Sequence, residues 1–143
     1  MSEKSALYDR INQCNAEIAV IRADISSMED EKVVTQGHVA TFTACKDTNV
    51  AYDMTVGDTW RRQLCNAAIE IQKNVTEGYG VAIENANNII TDLCSCIERA
   101  YQMISDLEDE IRRCQDRIAA IEAAEAEEAR RQAEAAAYAA SLA

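Results

Sequence analysis

From Ile83 to Ile121 apolar residues recur in alternating steps of three and four: Ile83, Ala86, Ile90, Leu93, Ile97, Ala100, Ile104, Leu107, Ile111, Cys114, Ile118 and Ile121. A repeat of about 3.5 residues marks a helix whose narrow apolar stripe has to be covered by another helix. A shorter seam with the same steps runs through Leu7, Ile11, Cys14, Ile18, Ile21, Ile25 and Met28, and the residues between them are polar. That is the solvent side of an amphipathic helix. The chain has no proline and only four glycines, so it lacks the turn punctuation of an all-β fold.

Two seams need one connection. Residues 47–59 gather Asp, Thr, Asn and Gly, whose side chains compete with a helical backbone for hydrogen bonds. The pattern predicts an all-α, long antiparallel two-helix hairpin over 1–121, coiled-coil-like, with a helical C-terminal extension. Its first helix spans about 4–46, with Ser5 either at its cap or in a frayed first turn and a soft point at Gly37. Its loop is 47–59, and its second helix starts near Trp60 behind Asp58 or Thr59 as N-cap. Gly78 and Gly80 predict a break, since two glycines weaken a helix by about 2 kcal/mol relative to alanine.

If the helices fold back about that loop, facing residues have numbers summing to about 111, which pairs Leu7 with Ile104, Cys14 with Ile97 and Met28 with Ile83. At a rise of about 1.5 Å per residue the hairpin is about 60 Å long. Residues 122–143 are rich in Ala, Glu and Arg, with no large apolar residue before Tyr138. They read as a helical tail with little to bury.

The charge balance narrows the function. Twenty-five acidic residues against fourteen basic give a net charge of −11, which offers no basic face to nucleic acid or to an anionic membrane. No run of apolar residues is long enough to span a bilayer, and no apolar core follows Met1-Ser2-Glu3-Lys4. The expectation is a chain that is cytoplasmic as made and that leaves the cell, if it does, with a partner and without a signal peptide. The one histidine, His38, stands in no catalytic pattern, so neither an enzyme nor a cofactor is expected.

The six cysteines carry two competing readings. A zinc site takes close pairs from separate turns, and Cys94-Ser95-Cys96 is the one close pair here, so no metal site is expected. On the register near 111, Cys14 falls opposite Cys96 and Cys45 opposite Cys65, two staples each contributing about 2–4 kcal/mol. Cys94 can take the place of Cys96. A different register, with Cys14 facing Cys114, requires 47–82 to fold as a separate cap. The alternative to any staple is that Cys14 and Cys114 are small buried apolar residues.

A first helix, a short connection, a tryptophan where the second helix begins and a long helical tail on an acidic chain resemble the WXG superfamily of type VII secretion. The likeness is greatest to the small helical proteins encoded beside LXG-family toxins. It covers most of the chain by architecture and Trp60 by motif. Where the motif has Gly two residues after the Trp, this chain has Arg62, and its nearest glycine is Gly57. The family's export signal, an aromatic followed four residues later by an acid, is missing: Ser105 follows Tyr101 and Leu142 follows Tyr138 at that distance. The resemblance therefore implies a non-catalytic adaptor or targeting chaperone that binds the helical N-terminal region of a toxin, with another partner, such as a second small helical protein, supplying the address.

A partner is also expected from the residues themselves. Ile69, Ile71, Val75, Val81, Ile89 and Cys94 lie beside the second seam and widen its apolar face beyond what one helix covers. Trp60, Leu64, Ile71, Val75 and Ile89 are the candidate contacts, with Trp60 alternatively a plug at the open end of the hairpin. The competing function is a structural coiled coil that self-associates into a homodimer or four-helix bundle.

Overall fold

The structure is a computed structural model that describes residues 2–53, 55 and 62–143. Among the described residues the regular structure is two helices, α1 (Glu3–Ala51) and α2 (Arg62–Ser141). The chain forms two compact units: the first is Met1–Ala23 with Ala100–Ala143, the second Asp24–Arg99. In each, a stretch of α1 packs antiparallel to a stretch of α2, so the helical hairpin predicted from the two seams is the fold.

In the first unit α1 is capped by Ser2, and Ser5 lies in its first turn, the second of the two places read for it. The Ser2 hydroxyl accepts from the Ser5 amide at 3.0 Å and the Ser2 carbonyl from the Ala6 amide at 3.1 Å. Glu3 then places a carboxylate on the first turn, where the helix dipole favours it. Cys14, Ile18, Ala100, Ile104, Cys114 and Ile118 are buried between the helices. Every one is a seam position, and each buried Ile stabilises the pair by about 2 kcal/mol relative to an exposed one.

The flanks of this seam are closed by cross-helix ion pairs. Arg10 donates two hydrogen bonds to the Glu110 carboxylate, at 2.5 and 2.9 Å, and Arg117 does the same to Glu3 at 2.8 and 3.2 Å. At the end of the seam Lys4 reaches Glu125 at 3.1 Å, and on the other flank Arg22 reaches Glu108 at 3.6 Å. Residue numbers across the first flank sum to 120, those across the second to about 130, and the seam between them therefore runs near 125.

This corrects the register expected near 111 by about fourteen residues, or two heptads. Both seams repeat every seven residues, so sliding one helix by two heptads leaves every apolar residue facing an apolar residue. Leu7 falls opposite Ile118 as well as it would opposite Ile104. The flanks are not so indifferent. Moving each partner back by fourteen would set Cys96 against Arg10, Met103 against Glu3 and Cys94 against Arg22, and all three ion pairs would be lost.

The second unit has the same sense of packing. Ile25, Ala68, Ala86 and Ile97 are buried, with Thr35, whose hydroxyl donates to the Glu31 carbonyl at 2.9 Å and so stays satisfied. At its end, α1 and α2 are joined by a polar clasp. The Gln72 amide donates to the carbonyls of Asn49 at 2.6 Å and Tyr52 at 2.7 Å. The Asn49 amide returns a bond to the Gln72 carbonyl at 3.1 Å and another to the Thr76 hydroxyl at 2.8 Å. A helix leaves its last carbonyls without intrahelical donors, and here a side chain from the other helix supplies them. This is why α1 runs to Ala51 rather than stopping near residue 46.

Beyond α1, Asp53 accepts from the Thr55 amide at 2.8 Å and from its hydroxyl at 2.6 Å, a local turn that holds the Asp53 carboxyl below its usual range. Residues 62–82 belong to α2 within the second unit, so they do not form the separate cap that one cysteine pairing required. The helices also pass through Gly37 and through Gly78-Tyr79-Gly80 without a break. A glycine costs a helix conformational entropy but clashes with nothing, and packing on either side outweighs about 1 kcal/mol per residue.

Candidate interaction surface

The expected staples do not form: among the described residues there is no disulfide. Both fail by the same two heptads. Cys14 lies beside Glu110, fourteen residues past Cys96, and Cys45 lines a groove with Thr48, Asn49, Tyr52 and Tyr79, the last fourteen past Cys65. Exposure agrees, since Cys14 is wholly buried and Cys96 is exposed, with its sulfur 3.7 Å from an Arg99 nitrogen. Burial pushes the Cys14 thiol up from its ordinary pKa, against the pull of the nearby Arg10. Cys14 and Cys114 both sit as buried members of the seam, the role read for them as small apolar residues.

Trp60 lies outside the described residues. The other four candidate contacts are on α2 in the second unit and are exposed: Leu64 at 63%, Ile71 at 62%, Val75 at 40% and Ile89 at 50%. Their spacings of 7, 4 and 14 residues place them on one stripe beside the seam. Ile69 and Val81, exposed as well, fall to other sides of the same helix. Besides the groove at Cys45, a second shallow groove next to the Asn49–Gln72 clasp is lined by Val50, Ile69 and Thr76.

The ion pairs are unevenly shared. Among its described residues the first unit contains ten, four of them between neighbouring turns of α2: Arg112 with Asp109, Arg130 with Glu127 and Glu134, and Arg131 with Glu127. The second unit contains one among its described residues, Lys32 with Glu29 at 4.0 Å. Among the described residues its other exposed acids, including Glu31, Glu70, Glu77, Glu84 and Asp92, form no ion pair.

The first unit has its own apolar groove, where Ala16, Val20, Ile21 and Met103 meet beside Glu17. Val20 is 62% and Met103 54% exposed. His38 is exposed in the second unit with its ring stacked at 6.2 Å on Phe42. Among the described residues no three His, Cys, Asp or Glu side chains gather as a metal site would require, and no helix is long and apolar enough to cross a membrane.

The tail is helical to Ser141, as expected, and exposed along its length. Sequence reasoning missed two features that matter for binding: the Asn49–Gln72–Thr76 clasp and the flanking pairs that fix the register. The second left a signal, because charged residues sit at seven-residue intervals in both seams' flanks, with Glu3 and Arg10 on α1 and Glu110 and Arg117 on α2. No protein-family model, curated protein or solved structure matches this chain.

Proposed function

We propose that this protein is a non-catalytic adaptor or targeting chaperone that packs its helical hairpin against the helical N-terminal region of an LXG-type toxin and travels with it through type VII secretion. The observation that carries the binding role is the exposed stripe of Leu64, Ile71, Val75 and Ile89 on α2. A helix with one apolar face covered and a second left open is built for a further helix. The toxin as occupant rests on the resemblance to WXG-type proteins. Trp60 stands just ahead of the stripe in the chain and extends the proposed contact, since tryptophan is prominent among residues that dominate interface energies. A second small helical protein would supply the export signal that this chain lacks.

The self-associating coiled coil is the second reading, and the open groove at Val20 and Met103 in the first unit favours it. Co-expression with the toxin's N-terminal region followed by gel filtration separates the two. A stoichiometric complex that Ile71→Ser weakens supports the adaptor. A homo-oligomer that ignores the toxin, and that Met103→Ser dissociates, replaces it with the structural reading.

A further inference from the structure

We infer that the occupant of the α2 stripe is a basic amphipathic helix from another protein, its apolar face seated on Ile71, Val75 and Ile89 and its flanking positions carrying Lys or Arg. The inference rests on the adaptor reading for the existence of a partner, and adds the partner's chemistry. The second unit holds twelve acidic residues against six basic ones, and among its described residues only Lys32 and Glu29 form an ion pair. The first unit, with thirteen acids against eight bases, forms ten ion pairs among its described residues.

Two of the unmatched acids, Asp92 and Glu31, border the stripe. Asp92 lies three residues, one turn, beyond Ile89 and three heptads after Ile71, whereas Glu70, Glu77 and Glu84 repeat every seven residues on the far side of the same helix. Glu31 is exposed on α1 at a heptad position equivalent to Arg10 and Glu17 on the flank. Where the first unit sets Arg10 against Glu110, in the second unit Arg10's column on α1 carries Asp24 and Glu31 and Glu110's column on α2 carries Ile89 and Val75, so within the helices neither column supplies a Lys or Arg to that flank. A second copy cannot supply it, because it would bring an equally acidic unit to the contact. Like charges held at short range in a partly desolvated interface disfavour that pairing and select a cationic one.

The test uses the full chain and two synthetic helical peptides of about four heptads with one Leu stripe, flanked in one by Lys and in the other by Glu. Binding is followed by calorimetry, with oligomeric state checked by sedimentation. The Lys peptide is expected to bind at least about tenfold more tightly than the Glu peptide, with a preference that shrinks as salt rises. The double variant Ile71→Ser/Ile89→Ser, both at exposed positions and with its helix content checked by circular dichroism, is expected to weaken it by about tenfold.

Equal affinity for the two peptides, no binding of either, or binding that the double variant does not change would each overturn the inference, the last by reducing it to charge attraction alone. A stripe-dependent homodimer would overturn it in favour of a second copy. The toxin experiment fails separately. A toxin complex without peptide discrimination removes the basic-partner assignment alone, whereas peptide discrimination without a toxin complex removes the toxin and leaves the surface.

Discussion

Replacing Gln72 by alanine tests how α1 is ended and how the hairpin's closed end is held. The Gln72 side chain donates two hydrogen bonds, to Asn49 O at 2.6 Å and Tyr52 O at 2.7 Å, and no other side chain among the described residues reaches either carbonyl. Two neutral bonds contribute about 1–3 kcal/mol together. Water can reach the freed Tyr52 carbonyl, which is exposed, and alanine is the better helix former by a few tenths of a kcal/mol, so the net loss falls at about 1–2 kcal/mol. Gln72→Glu keeps the size and removes the donors, so it should cost at least as much.

The assay is urea unfolding followed by circular dichroism, with amide hydrogen exchange over residues 46–51 as the local readout. Both variants should lose protection there before the ends of α2 do. Unchanged exchange in that segment, with stability within about 0.3 kcal/mol of wild type, would refute the view that a side chain from α2 terminates α1.

Four further outcomes follow from the packing. Gly37→Ala and Gly78→Ala should each stabilise the protein by about 0.5–1 kcal/mol, because both glycines are in helix interiors and a Cβ there meets nothing within 4 Å; loss of stability on thermal melting would mean that a break is needed at one of them. Exchanging charges in Arg10→Glu/Glu110→Arg should restore the stability that either single change removes, whereas a register near 111 predicts no coupling between them. Arg10 holds the Glu110 carboxyl below its ordinary value of 4.5, so the advantage of wild type over Glu110→Gln is fully present above that value and fades as pH falls through the lower folded one. Under native conditions a thiol reagent should modify Cys96 rapidly and Cys14 only on unfolding, since Cys14 is buried and its thiol is held protonated. Equal rates would place Cys14 outside the seam.

How much was legible in the sequence depends on which residues carry the information. Ile83 to Ile121 and Leu7 to Met28 by themselves determined that two helices form and which side of each is buried, because a 3.5-residue repeat has one structural solution. The open stripe of Ile71, Val75 and Ile89 was legible for the same reason, as apolar positions left over once the seam was assigned. Register was not, because a repeat of seven matches itself after every slide of seven. Apolar layers alone give Ile104, Ile111 and Ile118 equal claims on Leu7.

Tertiary structure decided among these through contacts that do not repeat. Arg10 finds Glu110, Arg117 finds Glu3, and Gln72 finds the end of α1, each a single polar group whose partner exists at one register. The cysteine staples went with the register they were read from, and the glycines that weaken a helix locally were overridden by packing on either side of them. Periodicity is a property of the chain, whereas pairing is a property of two surfaces, and aperiodic polar contacts give that pairing its one solution.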